Sequence, residues 1–67
     1  MAGLSLTSLR AGHKYWIQNF GEKLEFEILE ILYPQDFVVK DLHTLEVFRL
    51  SDITRFGKGK DYEIRDL

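Results

Sequence analysis

Between residues 37 and 50 this chain places hydrophobic residues on both faces of one β-hairpin, although only 67 residues are available to cover them. Phe37-Val38-Val39-Lys40-Asp41-Leu42 and Leu45-Glu46-Val47-Phe48-Arg49-Leu50 read as antiparallel strands about a turn at His43-Thr44. With two residues in that turn, Phe37 faces Leu50, Val39 faces Phe48, and these four share one face. The other face receives Val38, Leu42, Leu45 and Val47, diluted by Lys40 and Arg49. Side chains alternate between faces along a strand, so one small core takes only one of the two sets. The second set needs a cover, either Leu4, Leu6 and Leu9 of the N-terminal segment or another subunit.

The preceding residues are also strand-like. Lys14-Tyr15-Trp16-Ile17-Gln18-Asn19-Phe20 is aromatic and β-branched and lies between Gly12 and Gly21. Leu24-Glu25-Phe26-Glu27-Ile28 alternates strictly, and the apolar phase then slips by one residue to Leu29, Ile31 and Tyr33. A one-residue slip within a strand is the mark of a β-bulge or sharp bend. Leu24, Ile28, Ile31 and Leu32 also fit helical spacing, but Phe26 and the turn signals on either side favour a bent strand. Tyr33-Pro34-Gln35-Asp36 is a turn, Ser51-Asp52-Ile53-Thr54 a single helical turn with Ser51 as cap, and Asp61-Tyr62-Glu63-Ile64-Arg65 a last strand. The expected fold is mainly β: a small five-stranded barrel with a bent second strand and a one-turn helix before the last strand. Barrel closure protects edges that so short a chain cannot otherwise cover. One domain spans residues 1–67, with residues 1–10 packing on it as an N-terminal segment.

This order of elements resembles the SH3-like (Tudor-like) small barrels. The run Leu9-x-x-Gly12-x-x-Tyr15-x-Ile17 with Gly21, then Asp36-Phe37-x-Val39-Lys40-Asp41-Leu42-x-Thr44-Leu45-Glu46, and finally Phe56-Gly57-Lys58-Gly59-Lys60-Asp61-Tyr62, is similar to small uncharacterised bacterial proteins. That resemblance covers nearly the whole chain. It implies the fold and a bacterial cytoplasmic setting, and no activity or site comes with it.

Composition narrows the function classes. With no cysteine there is no disulfide scaffold and no thiolate metal site. The net charge of −2 argues against a dedicated nucleic-acid binder, whose affinity rests on neutralising phosphates. The charge is uneven, however. Residues 1–20 carry Arg10 and Lys14 and no acid, whereas residues 21–36 hold five acids against Lys23 alone. No basic leader and no long apolar run opens the chain, so a signal peptide and a membrane span are not expected and a cytoplasmic location is.

No catalytic or cofactor constellation emerges from the residues. His13 and His43 lie thirty residues apart and read as isolated surface histidines. Ser51-Asp52 with a histidine nominally supplies a nucleophile, base and orienter, but these residue types occur in every protein, and Glu25 with Glu27, about 7 Å apart at strand rise, forms an acidic strand face. Gly57-Lys58-Gly59-Lys60 fails as a phosphate loop, since Asp61 stands where Ser or Thr belongs and a strand follows. Its glycines are expected to supply positive φ. The chain is therefore expected to be no enzyme, with no cofactor and no metal.

Two surfaces remain. Tyr15 and Ile17 turn inward, which aims Trp16 and Phe20 outward, either as an aromatic pair suited to a protein or peptide partner or a second copy, or with the N-terminal leucines covering Trp16. Arg55, Phe56, Lys58 and Lys60 gather three cations and a ring on one loop, the parts of a single-stranded RNA or DNA contact, beside Arg10 and Lys14. The first expectation is a non-enzymatic interaction module, self-associating; the alternative is nucleic-acid binding.

Overall fold

The computed structural model describes residues 4–33 and 35–67. Residues 1–3 and the expected turn at Pro34 lie outside the described residues. Five strands form one antiparallel sheet: β1 (Lys14–Asn19), β2 (Glu22–Leu32), β3 (Asp36–Asp41), β4 (Val47–Arg49) and β5 (Glu63–Asp66). Their order across the sheet is β4-β3-β2-β1-β5. A 3₁₀ turn, Leu6–Ser8, precedes the sheet, and a single helical turn, α1 (Ser51–Thr54), precedes β5. No described helix is long and apolar enough to cross a membrane.

The phase slip in the second strand is a bulge. Ile28 pairs with Val39 and Glu30 with Val38, which leaves Leu29 extra. That residue inverts the alternation, so Ile28 and Ile31 face the same side although an odd number of positions separates them. The core lies on this side. Tyr15, Ile17, Phe26, Ile28, Phe37, Val39, Leu50 and Ile64 are all buried there, as the period-two pattern of each strand dictates.

The β3–β4 hairpin keeps the expected register, with Val39 opposite Phe48, but its turn is wider. The N–H of Leu45 bonds the carbonyl of Asp41, the N–H of Asp41 bonds the carbonyl of Glu46, and Leu45 adopts a φ of 65°. Asp41 stabilises this four-residue turn by accepting the N–H groups of His43 and Thr44 on Oδ1, at 2.7 and 3.1 Å. Leu42 and Leu45 are therefore turn residues rather than a strand pair.

The N-terminal leucines do not cover the second face of this hairpin. Leu9 is buried in the main core, with Leu4 and Leu6 packed against it. Val47 on the second face stays 58% exposed, and Leu45 in the turn 64%. That face is wetted by charge: Lys40, Glu27 and Lys14 sit directly opposite one another across β3, β2 and β1, with alternating sign.

Ser51 is not the side-chain cap of α1. Asp36 takes that part from β3: Oδ1 accepts the Ser51 N–H at 3.1 Å and Oδ2 accepts the Ser51 hydroxyl at 2.9 Å. Burial pushes the Asp36 carboxyl up, but the Phe37 N–H, the two Ser51 donors and Arg49 outweigh it and hold the pKa below the usual range. Both sheet edges are short. At β5 the Leu4 N–H donates to the Ile64 carbonyl at 2.7 Å.

Candidate functional site

The site is built where the β1–β2 turn meets the loop between α1 and β5. Asn19 pairs with Glu22, so only Phe20 and Gly21 make the turn, and both have positive φ, 52° and 79°. This is a type I′ geometry, which matches the twist of the flanking strands and favours Asn-Gly. A phenylalanine in the left-handed region costs roughly 1–2 kcal/mol. The sequence spends that cost on an aromatic ring at a hairpin tip.

Asp61 holds the strained turn in place. Its Oδ1 accepts the Phe20 N–H at 2.9 Å, and its Oδ2 accepts the Gly21 N–H at 2.8 Å and the Gln18 Nε2 amide at 3.0 Å. The Gln18 amide, followed by the Gly21 N–H, keeps the Asp61 carboxyl below the ordinary range despite an opposing desolvation, with the Phe20 N–H adding to the effect. Asn19, buried on the core side, fastens the same loop from beneath. Its Nδ2 donates to the carbonyls of Ile53 and Gly57 at 3.2 and 3.1 Å, and its Oδ1 accepts the Gly59 N–H at 2.8 Å. Gly57 has the expected positive φ, 95°, whereas Gly59 is required for space: a Cβ there would lie 2.9 Å from Cδ1 of Phe20.

These anchors leave an open cleft of about 380 Å³ between turn and loop. The β1–β2 turn lines it with Asn19, Phe20 and Glu22, and α1 with its following loop lines it with Asp52, Ile53, Arg55 and Phe56; Asn19 and Ile53 are the least exposed of these. Phe20 is 56% exposed and Phe56 80% exposed. The Arg55 guanidinium lies 5.0 Å from the centroid of the Phe56 ring. A pair of carboxylates, one guanidinium and two accessible rings suit a mixed apolar and cationic segment.

The structure rearranges the two sequence-level surfaces. Phe20 joins Arg55 and Phe56 on the cleft, because β1 ends at Asn19 and Phe20 turns away from the strand. Trp16 lines a different hollow, of about 270 Å³, with Lys23, Leu24, Glu25 and His43. Trp16 is half-buried on the outer sheet face, where the Arg65 guanidinium stacks 4.9 Å from its ring. Glu63 grips that guanidinium at 2.7 and 3.2 Å. Lys58 is set over Tyr62 at 4.9 Å, and neither Lys58 nor Lys60 lines the cleft. Lys14 opens β1 at its other end, about 17 Å of strand from Asn19, and Arg10 precedes it.

The remaining polar candidates are dispersed. His43 Nε2 meets Glu25 Oε1 at 2.8 Å on the outer face, while the His13 ring stacks near Tyr15. Among the described residues no group of three or more His, Cys, Asp or Glu side chains is placed to hold a metal ion. Sequence reasoning missed Asn19, Asp61 and Glu22. The one local signal was Asn19 at an inward position directly before a positive-φ turn.

The depressed Asp61 and Asp36 carboxyls set the sign of the acid response. Their stabilising contribution is complete above the unfolded carboxylate pKa near 3.9 and is lost as pH falls through the lower folded values. Urea midpoints are therefore expected to hold steady from neutrality to about pH 5 and to fall below about pH 4. Asp61→Asn is expected to reduce that acid-dependent drop. An unchanged drop in this variant would refute the role of Asp61.

No family model, no curated protein and no solved structure matches this chain.

Proposed function

We propose that this chain is a small non-enzymatic interaction module that binds a protein or peptide segment in the cleft between the β1–β2 turn and the loop after α1, and that it self-associates. The observation that carries the cleft reading is Phe20. A bulky residue in the left-handed region, packed over Gly59 and held by two N–H bonds to Asp61, lines the same cleft as a second exposed ring, Phe56. Backbone strain that the surroundings over-determine points to use of the side chain. Glu22 and Asp52 beside the rings favour a ligand that pairs an apolar or aromatic residue with a lysine or arginine.

The fold that accompanies this reading is an SH3-like (Tudor-like) barrel. The strand order, the bulged β2 and the helical turn before β5 support it, as do the near-equal extents of 27 × 26 × 22 Å. In this view α1 and the following loop bridge β4 and β5. A cytoplasmic, bacterial setting belongs to the same proposal and rests on the resemblance to small bacterial proteins noted in the sequence.

The test is an array of short peptides joining one aromatic or aliphatic residue to flanking lysine or arginine, with binders titrated into ¹⁵N-labelled protein. Shift changes are expected at residues 19–22 and 52–56, and Phe56→Ala is expected to weaken binding at least about tenfold. An array without binders, or shifts confined elsewhere, removes the proposal. The nucleic-acid alternative draws support from Arg55 over Phe56 and Lys58 over Tyr62, two cation–ring pairs on one loop. Salt-sensitive binding of a single-stranded oligonucleotide, abolished by Lys58→Glu with Lys60→Glu, would favour it instead.

A further inference from the structure

We infer that the segment bound in the cleft carries an acidic side chain as well as a cation beside its apolar residue, and that Arg55 is the residue that selects the acid. This rests on the cleft reading proposed above and adds to it the charge pattern of the partner. Three charged side chains, Glu22, Asp52 and Arg55, line the cleft with the exposed rings of Phe20 and Phe56. Among the described residues none of the three takes part in an ion pair, and the Arg55 guanidinium donates no hydrogen bond. Asp52 stands three positions before Arg55, a spacing at which helical side chains can meet. Arg55 lies against Phe56 instead.

Elsewhere the same chain completes such a guanidinium. Arg65 lies 4.9 Å from the centroid of the Trp16 ring, and Glu63 accepts two of its N–H bonds, at 2.7 and 3.2 Å. Arg55 repeats the ring contact, at 5.0 Å from Phe56, but no carboxylate of the described chain stands where Glu63 stands. A cation–ring contact is electrostatic. It leaves the planar fork of N–H donors, which matches a carboxylate, to be satisfied from outside.

The charges of the cleft therefore choose a partner by exclusion as well as by attraction. Glu22 and Asp52 oppose a polyanion, and Arg55 opposes a wholly basic segment. A segment of mixed charge meets neither penalty: its cation faces the two carboxylates, its apolar residue the two rings, and its acid the guanidinium. Glu22, Asp52 and Arg55 are all exposed, so the selection is moderate and weakens with salt.

Peptides with blocked termini, Lys-Phe-Glu and Glu-Phe-Lys against Lys-Phe-Gln, titrated into ¹⁵N-labelled full chain at low salt, test the inference. The better acid-bearing peptide is expected to bind about three- to fivefold more tightly than the glutamine peptide. Only the acid-bearing peptide is expected to shift the Arg55 Nε–H signal strongly. Arg55→Gln is expected to abolish the preference, and Arg55→Glu to reverse it in favour of Lys-Phe-Lys. Thermal midpoints are expected to be unchanged in both variants, Arg55 being exposed. If no peptide moves residues 19–22 and 52–56, the cleft reading and this inference fall together. If the peptides move those residues but glutamine serves as well as glutamate, or the preference survives Arg55→Gln, the cleft reading stands and this inference falls. A gain seen only when a free C-terminal carboxylate replaces the glutamate also overturns it, since the acid is then not a side chain.

Discussion

Asn19→Ala is expected to lower folding stability by about 3 kcal/mol, the order of the penalty for leaving several buried polar groups without partners. The side chain is buried, and its removal strands the Gly59 N–H and deprives two carbonyls, those of Ile53 and Gly57, of a donor. A 67-residue chain has a total stability of about 3–10 kcal/mol, so the loss is a large part of the whole. For a domain of this size it corresponds to a fall in Tm of roughly 12–24 °C. Asn19→Asp is expected to do no better, since it retains the acceptor for Gly59 but loses both donated bonds. Thermal unfolding followed by circular dichroism reads the effect directly. A fall of only a few degrees would mean that the bonds from Asn19 contribute little beyond those water supplies to the loop. The result matters for function, because the same bonds hold the wall that carries Arg55 and Phe56 opposite Phe20.

Leu9→Ala is expected to cost about 2–5 kcal/mol, the range for truncating a buried leucine. Leu9 precedes every strand and lies outside the regular structure, yet it is buried with Tyr15, Phe37 and Leu50 in the core. The informative comparison is Leu45→Ala. Leu45 is largely exposed and sits at a φ of 65°, so its truncation is expected to change stability by less than about 0.5 kcal/mol. Urea denaturation of the two variants side by side is the measurement. Equal, small effects would show that the N-terminal segment is an appendage to the core; a cost confined to Leu45 would place the cover on the second hairpin face after all.

Both predictions concern features that sequence reasoning read differently or passed over. Leu4, Leu6 and Leu9 were candidates to cover Val38, Leu42, Leu45 and Val47; they complete the main core instead. The physical reason lies in the open side of the sheet. Among the described residues no pairing joins β4 to β5, and Leu4, Leu6 and Ile53 pack against the inner-face core. The outer face needs less cover than its hydrophobic count implied, because Lys40, Glu27 and Lys14 run across it and Arg65 lies over Trp16. The cleft was half legible. Phe20, Arg55 and Phe56 stood out as exposed aromatic and cationic residues, but as members of two different surfaces. Their meeting depends on Asp61 and Asn19, which bond residues 34 to 43 positions away in sequence. No local pattern encodes such a contact.

What the sequence by itself determined is what period-two alternation and turn chemistry can determine. The strand positions follow from it, as do the inward residues of each strand, the Val39–Phe48 register and the bulge at Leu29. These are short-range facts, set by where neighbouring side chains point. The tertiary structure alone decided where Leu9 is buried, how Asp36 caps α1 from another strand, and that Phe20 and Phe56 flank one cleft while Trp16 stands on the opposite side of the sheet. Each of these depends on which distant segments the closing of one small core brings together, and that is fixed by the whole packing rather than by any window of the chain.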